Sequence, residues 1–435
     1  MKDSPSYPEI KKYVDSIRLI DTHEHLPQEP ERLSQKVDFL ATFFPHYASV
    51  DLRSAGMSED ELIIVRNPDL PLDDRWAVFE PWWERTENTG YARAIEIAAR
   101  DLYGVDGISS DTYRVLSDRI REKNTEGLYK WVMKDKAGID VSINDSQVYD
   151  VDTDFFAPVR RFSEFLYLRD RTCLEALERQ VGHKVHSLKE LLSALRAEFD
   201  RTDGKICGVK IGVAYTRPIY FEKVSFYEAE EAFNEIFKTR RFMSYDTPEI
   251  WKMVPEPIEC ESLRVLQDYL IHSIIQEAVK RGLPIQIHTG LQEGNENIVS
   301  NSHPELLTNL FMEYKEARFD IFHGSWPYCE ELGALAKNFP NVYIDMCWMH
   351  IISPSRSRSA LSDWLDEVPA NKIMGFGGDY LFVEGSYGHS VIAREDIAMV
   401  LADKVDDGFY SLDQAKKYAR WLLRENAERL FFKSG

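Results

Sequence analysis

Long apolar runs are missing from this chain. No stretch approaches eighteen consecutive apolar residues, so nothing in it reads as a membrane-spanning helix. Cysteine is scarce: Cys173, Cys207, Cys260, Cys329 and Cys347 are scattered, odd in number and form no C-x-x-C pair. That usage points to reduced thiols that fill the core of a cytosolic protein, rather than to a disulfide framework. Basic residues are outnumbered, 53 against 73 acidic, for a net charge of −20 and a pI near 5.1. A polyanion such as nucleic acid is therefore a poor main partner, although a local basic pocket for a small acid is compatible with the balance. Fixed-period repeats and low-complexity tracts are absent. The opening segment MKDSPSYPEIKKY has no apolar signal region, and a soluble, cytoplasmic protein is expected.

What is present is a large core. Of 435 residues, 44% are hydrophobic and 12% aromatic, enough for one large domain with insertions or for two to three average ones. Ile10, Tyr13, Val14 and Ile17 fall at helical spacing and lead into a first strand near 17–23. From 27 to 136 the pattern is helical and rich in aromatics and charge, as in PWWERTENTGYARAIEIAARDLYG. This is too long for a single connection and reads as an inserted helical subdomain. Strands are expected at 138–145, 155–165 and 205–215, with an amphipathic helix at 188–200 between the last two. Residues 216–258 show no clear period and read as a second, smaller insertion. Beyond them, strands at 284–290, 318–326, 341–348 and 372–380 alternate with helices. Pro327 is expected in the first turn of a helix over 327–339. Eight apolar strands alternating with helices predict an α/β fold, a TIM (β/α)8 barrel spanning 1–435.

Chemistry gathers at the carboxyl ends of those strands. IDTHEHL (20–26) places His23 and His25 at i and i+2, on one face of a strand. Lys210, His288, His323 and Asp379 lie within or at the ends of other apolar strands. In a barrel these ends converge on one mouth. A single histidine flanked by Ile or Phe is ordinarily a satisfied core residue; four histidines, a lysine and an aspartate on five strands form a constellation. Imidazole nitrogen and carboxylate oxygen suit a divalent ion, Zn²⁺ first, with Mn²⁺, Fe²⁺ or Ni²⁺ as alternatives. Three or four protein ligands leave a position open, as a catalytic site requires.

IDTHEHL, IQIHTG, DIFHG and GFGGDY, in this order and spacing, resemble the amidohydrolase superfamily of metal-dependent (β/α)8 enzymes. GVKIG, IHTG, HGSWP and NVYIDM resemble its amidohydrolase-2 branch, which includes hydrolases and decarboxylases. The resemblance implies His23, His25, His288 and Asp379 as metal ligands. It makes His323 either a second-metal ligand or a group that polarises the substrate. FPHYASVDLRSAGM and GLYKWVMKDKAGIDV are similar to the insertion of uronate isomerases. At the eighth strand GGDYLFVEGSYGHSVIAR departs from the T-D-S-R-S run of that family, which weighs against sugar-acid isomerisation. Lys210 has two readings. In one it is carbamylated and bridges two metals; in the other it is free, pairs with a substrate carboxylate and accompanies a single ion, the count favoured here.

Asp379, His323 and Lys210 are the candidate catalytic groups. Candidate substrate contacts are Arg217, Trp326, His350, Arg356 and His389, because arginine binds carboxylates bidentately and these positions follow strand ends. Arg358 and Arg394 are similarly placed. His46, His183, His186, His272 and His303 read as structural. The expected activity is metal-dependent hydrolysis of a C–N or C–O bond in a small, acidic substrate, by a homo-oligomer that engages neither nucleic acid nor membrane. Uronate-type aldose–ketose isomerisation and metal-dependent decarboxylation are the enzymatic alternatives. A non-catalytic metal- or ligand-binding barrel is the remaining one.

Overall fold

A computed structural model describes residues 4–238 and 261–432. Its centre is a parallel sheet of eight strands in sequential order: β1 (Leu19–Glu24), β2 (Ile139–Asn144), β3 (Phe156–Arg160), β4 (Gly208–Ile211), β5 (Ile285–Ile287), β6 (Phe319–Ile321), β7 (Val342–Asp345) and β8 (Ile373–Met374). The sheet curls into a barrel. The register aligns Lys210 of β4 with Gln286 of β5, and Gln286 with Asp320 of β6. All eight expected strands are present and shorter than their apolar runs. The last shrinks most, because Gly375, Gly377 and Gly378 follow it and the chain continues without ladder geometry.

The lower end of the barrel is filled. Ile20, Ile143, Val159 and Met374 meet Ala427, Leu430 and Phe431 from the C-terminal helical segment, with Val141, Cys207 and Tyr343 packed alongside. Above this apolar plug lies a buried polar layer that includes Ser142, Gln286, Asp320 and Asp345. The functional residues sit above that layer.

Between β1 and β2 the chain makes only helices, from Glu29–Ser34 to Lys130–Ala137. Their ends are written locally. Ser58 and Glu61 form a reciprocal capping box, and Thr89 caps the helix Gly90–Tyr103, which ends on a left-handed Gly104. Phe39, Phe44, Phe79 and Trp83 build the aromatic centre of this insertion, with ring centroids 4.6–6.1 Å apart. Of the second expected insertion, 226–238 is a helix packed on Glu261–Lys280, and 239–258 lie outside the described residues. Pro327 precedes its helix rather than opening it, since that helix begins at Cys329. Among the described residues no helix is long and apolar enough to cross a membrane, and Cys173, Cys207, Cys329 and Cys347 are free thiols.

The insertion is fastened to the barrel through the helix Val383–Asp406, which lies between Tyr7–Ser16, Gly90–Tyr103 and Pro354–Glu367. The approach to Gly90–Tyr103 is so close that a Cβ on Gly388 would stand 2.1 Å from the Ala94 carbonyl oxygen. Gly388→Ala is therefore expected to destabilise the protein by about 1–3 kcal/mol, the usual cost of overpacking. A urea-denaturation midpoint equal to wild type would show that the two helices can separate freely.

Candidate metal centre

The site is assembled where the ends of the barrel meet. The Thr22 amide donates to the Phe376 carbonyl (3.2 Å), the Asp379 amide to the His23 carbonyl (2.7 Å), and the His25 amide to the Tyr380 carbonyl (3.0 Å). Two carboxylates of β1 take the remaining amides: Asp21 accepts from Gly378 (2.9 Å) and Glu24 from Tyr380 (2.6 Å). Gly378 is obligatory here, because a Cβ would lie 1.9 Å from Glu24 Oε1. The next residue, Asp379, has a left-handed backbone (φ 61°), which is uncommon for a side chain other than Asn or Asp. Burial pushes Asp21 up to about 6. Burial and then the Asp21 charge push Glu24 well above the usual carboxylate range.

His25 Nε2 lies 3.2 Å from Asp379 Oδ1, and His23 Nε2 lies 3.8 Å from the same oxygen and 4.0 Å from Asp145 Oδ2. His25 Nδ1 donates to the Asp145 carbonyl (3.2 Å), which turns the Nε2 side of that ring toward Asp379. His23 Nε2 is fully buried and has no hydrogen-bond partner among the described residues. Two imidazole nitrogens thus converge on carboxylate oxygens at separations close to those of atoms sharing one ion, about 3.4 Å in a tetrahedral site. The donor set fits a divalent metal held by His23, His25 and Asp379, with Asp145 in reach. Burial opposes ionisation of Asp379, but the His25 contact and the His23, His25 and His323 charges outweigh it and hold its carboxyl well below the usual range.

Beside this group stands a second trio, His323, Cys347 and Asp379. His323 Nδ1 lies 3.8 Å from Asp379 Oδ2 and donates to the Cys347 carbonyl (3.1 Å), while its Nε2 faces His288 Nδ1 at 3.1 Å. Burial pushes His323 down to about 4 and His288 well below its ordinary value, so both are neutral at pH 7. His288 Nε2 donates to the Leu291 carbonyl (3.0 Å). With the hydrogens on His323 Nδ1 and His288 Nε2, the bare His323 Nε2 and His288 Nδ1 face each other, and it is by this Nδ1 that His288, expected from sequence as a metal ligand, meets the group. The Lys210 ammonium lies 3.4 Å from the centre of the Phe322 ring, and burial pushes it down to about 8.

The expected substrate contacts mostly point elsewhere. Arg217 forms a buried ion pair with Asp268 (2.7 Å), and Arg356 an exposed one with Glu330 (3.0 Å). His350 Nδ1 lies 3.0 Å from Asp396 Oδ2 and its Nε2 3.0 Å from the Gly375 carbonyl oxygen, so both nitrogens face polar partners away from the site. His389 donates to the Gly378 carbonyl (3.1 Å) from behind the strand and packs on Phe376 and Tyr380. Arg358 pairs with Asp396, and Arg394 binds the carbonyls of Val14, Ile17 and Ala137. Trp326 is partly buried, and its carbonyl holds the Leu291 amide (2.7 Å).

Asp145 and Tyr47 are not marked out in the sequence, and His46 reads there as structural. Asp145 ends β2 as His23 and His25 end β1, which was a usable signal; its Oδ2 also takes Arg161 (2.6 Å). His46 and Tyr47 come from the insertion. Tyr47 stacks on Trp348 (4.3 Å), and burial, then the Asp379 charge, raise its phenol well above normal. Burial lowers His46 to about 3. A cleft of about 320 Å³ lies against His25, walled by Gln28, Arg32, Lys36, Val148 and Phe382.

His389 offers a pH test of this placement. Burial, then the His350 charge, push it down to about 3. Between that value and about 6.5 the unfolded chain binds a proton that the folded chain does not, so wild type loses stability as pH falls through this window. His389→Asn keeps a donor for Gly378 and lacks that loss. Relative to wild type it should gain roughly 2 kcal/mol between pH 7.5 and pH 5, read by urea denaturation.

The amidohydrolase family model matches residues 256–433. Protein fluG of Emericella nidulans is 30% identical over 172 residues, 38% of this chain; the match spans only 20% of that protein's length. The fold agrees over nearly the whole chain with a uronate isomerase from Thermotoga maritima (TM-score 0.79, 14% identity, 99% of this chain and 98% of that one). It agrees similarly with a glucuronate isomerase from Caulobacter crescentus (0.76, 18% identity, 100% and 96%). At those identities the likeness speaks for the fold alone. The chain thus resembles the amidohydrolase family over residues 256–433, and over its full length it shares the fold of uronate isomerases.

Proposed function

We propose that the protein is a metal-dependent hydrolase that cleaves a C–N or C–O bond in a small substrate carrying a carboxylate. The observation that carries this reading is the ionised Asp379 carboxylate set beside the unpartnered His23 Nε2 and within 3.2 Å of His25 Nε2. His23, His25 and Asp379 would hold a divalent cation, with Zn²⁺ the best match to these donors; when bound it would supply a water of pKa about 7 and polarisation of a carbonyl oxygen. Asp379 orients the attacking water, takes its proton and delivers it to the leaving group. Neutral His323 and His288 keep the neighbouring wall free of positive charge. The Lys210 ammonium lies over the Phe322 ring and, among the described residues, forms no ion pair within 4 Å, so it can take a substrate carboxylate. Burial makes that pairing stronger than the same contact in water.

One ion with a free Lys210 is the expected composition, and metal analysis with mass spectrometry of the lysine separates it from two ions with a carbamate. Chelation should abolish turnover. His23→Ala should lose the ion, and Asp379→Asn should lower kcat by about 10²–10⁴. Chelated protein with full activity would sink the mechanism.

A second reading has its own observation: the insertion delivers Tyr47 to the site, as an isomerase needing a further proton carrier would require. Incubation with a uronate separates the two. Ketose formation would replace hydrolysis by isomerisation, and release of CO₂ would replace it by decarboxylation.

A further inference from the structure

Gln286 makes no contact expected of a catalytic group, yet it is fully buried in the polar layer under the centre and touches β1 twice. Its side-chain amide donates to the Thr22 carbonyl (3.0 Å) and to Asp320 Oδ2 (3.3 Å), and its Oε1 lies 3.3 Å from His23 Nδ1. The orientation of this amide is dictated by its partners. A backbone carbonyl can only accept, so the nitrogen must face Thr22 and the oxygen must face the imidazole. Rotating the amide by half a turn would set its oxygen against the Thr22 carbonyl and the Asp320 carboxyl and its nitrogen against the ring.

An amide oxygen can only accept, so His23 Nδ1 must carry the hydrogen. We propose that Gln286 is a positioning residue that fixes His23 as the Nδ1–H tautomer, leaving the Nε2 lone pair aimed at Asp379 and Asp145. This inference rests on the reading of His23 as a metal ligand for its purpose, but not for its test. The same amide holds both the ring of His23 and the carbonyl of the preceding residue, so it sets ring rotation as well as proton position. His25 reaches the equivalent state by another route, through the backbone carbonyl of Asp145, which no side-chain substitution removes. It serves as the internal control. Outer partners of this kind typically contribute about 10- to 100-fold in metal affinity.

The test begins with metal-free protein labelled with ¹⁵N-histidine, read by long-range ¹H–¹⁵N correlation spectra, with His23 assigned through His23→Gln. The expected result is an Nδ1–H, Nε2-unprotonated pattern for His23 in wild type. An Nε2–H tautomer in wild type would overturn the proposal whatever any variant does. In Gln286→Met, which keeps length and removes the acceptor, His23 should lose the Nδ1–H pattern while His25 Nδ1 stays protonated. Zn²⁺ affinity, measured by competition with a chromophoric chelator, should fall about 10- to 100-fold. Gln286→Glu, which restores an acceptor oxygen, should return the His23 pattern and bring affinity to within a few-fold of wild type. Unchanged tautomer and affinity in Gln286→Met would overturn it. Loss of Zn²⁺ binding by wild type with the tautomer as stated would instead defeat the metal reading and leave the role of Gln286 standing.

Discussion

The seam between β1 and residues 376–380 is the constraint on which the rest of the site depends. Main-chain bonds from Thr22, His25 and Asp379 cross it, and the side chains of Asp21 and Glu24 take the amides of Gly378 and Tyr380 that strand geometry leaves over. Because the ladder is completed partly by carboxylates, the chain after β8 is free to leave the strand and turn Asp379 into a left-handed conformation. That turn brings its carboxylate to His23 and His25. Barrel closure and ligand placement are thus the same set of hydrogen bonds.

Charge is the second constraint. Four imidazoles, one ammonium and several carboxylates are enclosed with little water to solvate them, and burial drives most of them toward their neutral forms. Asp379 is the exception, held ionised by the groups around it. An uncompensated buried carboxylate beside bare imidazole nitrogens is costly, and a cation relieves both at once. The polar layer beneath links Asp320 through Gln286 to His23 and places a neutral amide, not a charge, against that ring.

Much of this architecture is legible in the sequence, for physical reasons that differ by residue. Strands of a covered parallel sheet are short runs rich in apolar residues, so their positions are legible, and a polar residue in or after one, such as His23 or Asp379, is conspicuous. Shortening of β8 follows from its glycines, whose role becomes visible only when Glu24 is seen against Gly378. Arg217 and His350 look identical in sequence to substrate contacts; Asp268 and Asp396, which claim them, are 51 and 46 positions away and bear no local mark. His46 and Tyr47 are hidden for the opposite reason. They lie in a helical segment whose aromatic residues are mainly core, and only its docking against the barrel turns them inward.

That docking has a consequence for how such an enzyme can diverge. His23, His25 and Asp379, the proposed metal ligands, are bound into the closure of the barrel, so drift at those positions threatens the fold along with any chemistry they carry. The insertion is joined instead by helix faces, with Gly388 letting Ala94 approach and Tyr47 arriving beside Trp348. A few side chains on that appended layer can be exchanged without disturbing a single strand pair. On the proposed function, the protein separates a centre locked into barrel closure from an exchangeable wall, and new preferences for substrate would be written on the wall.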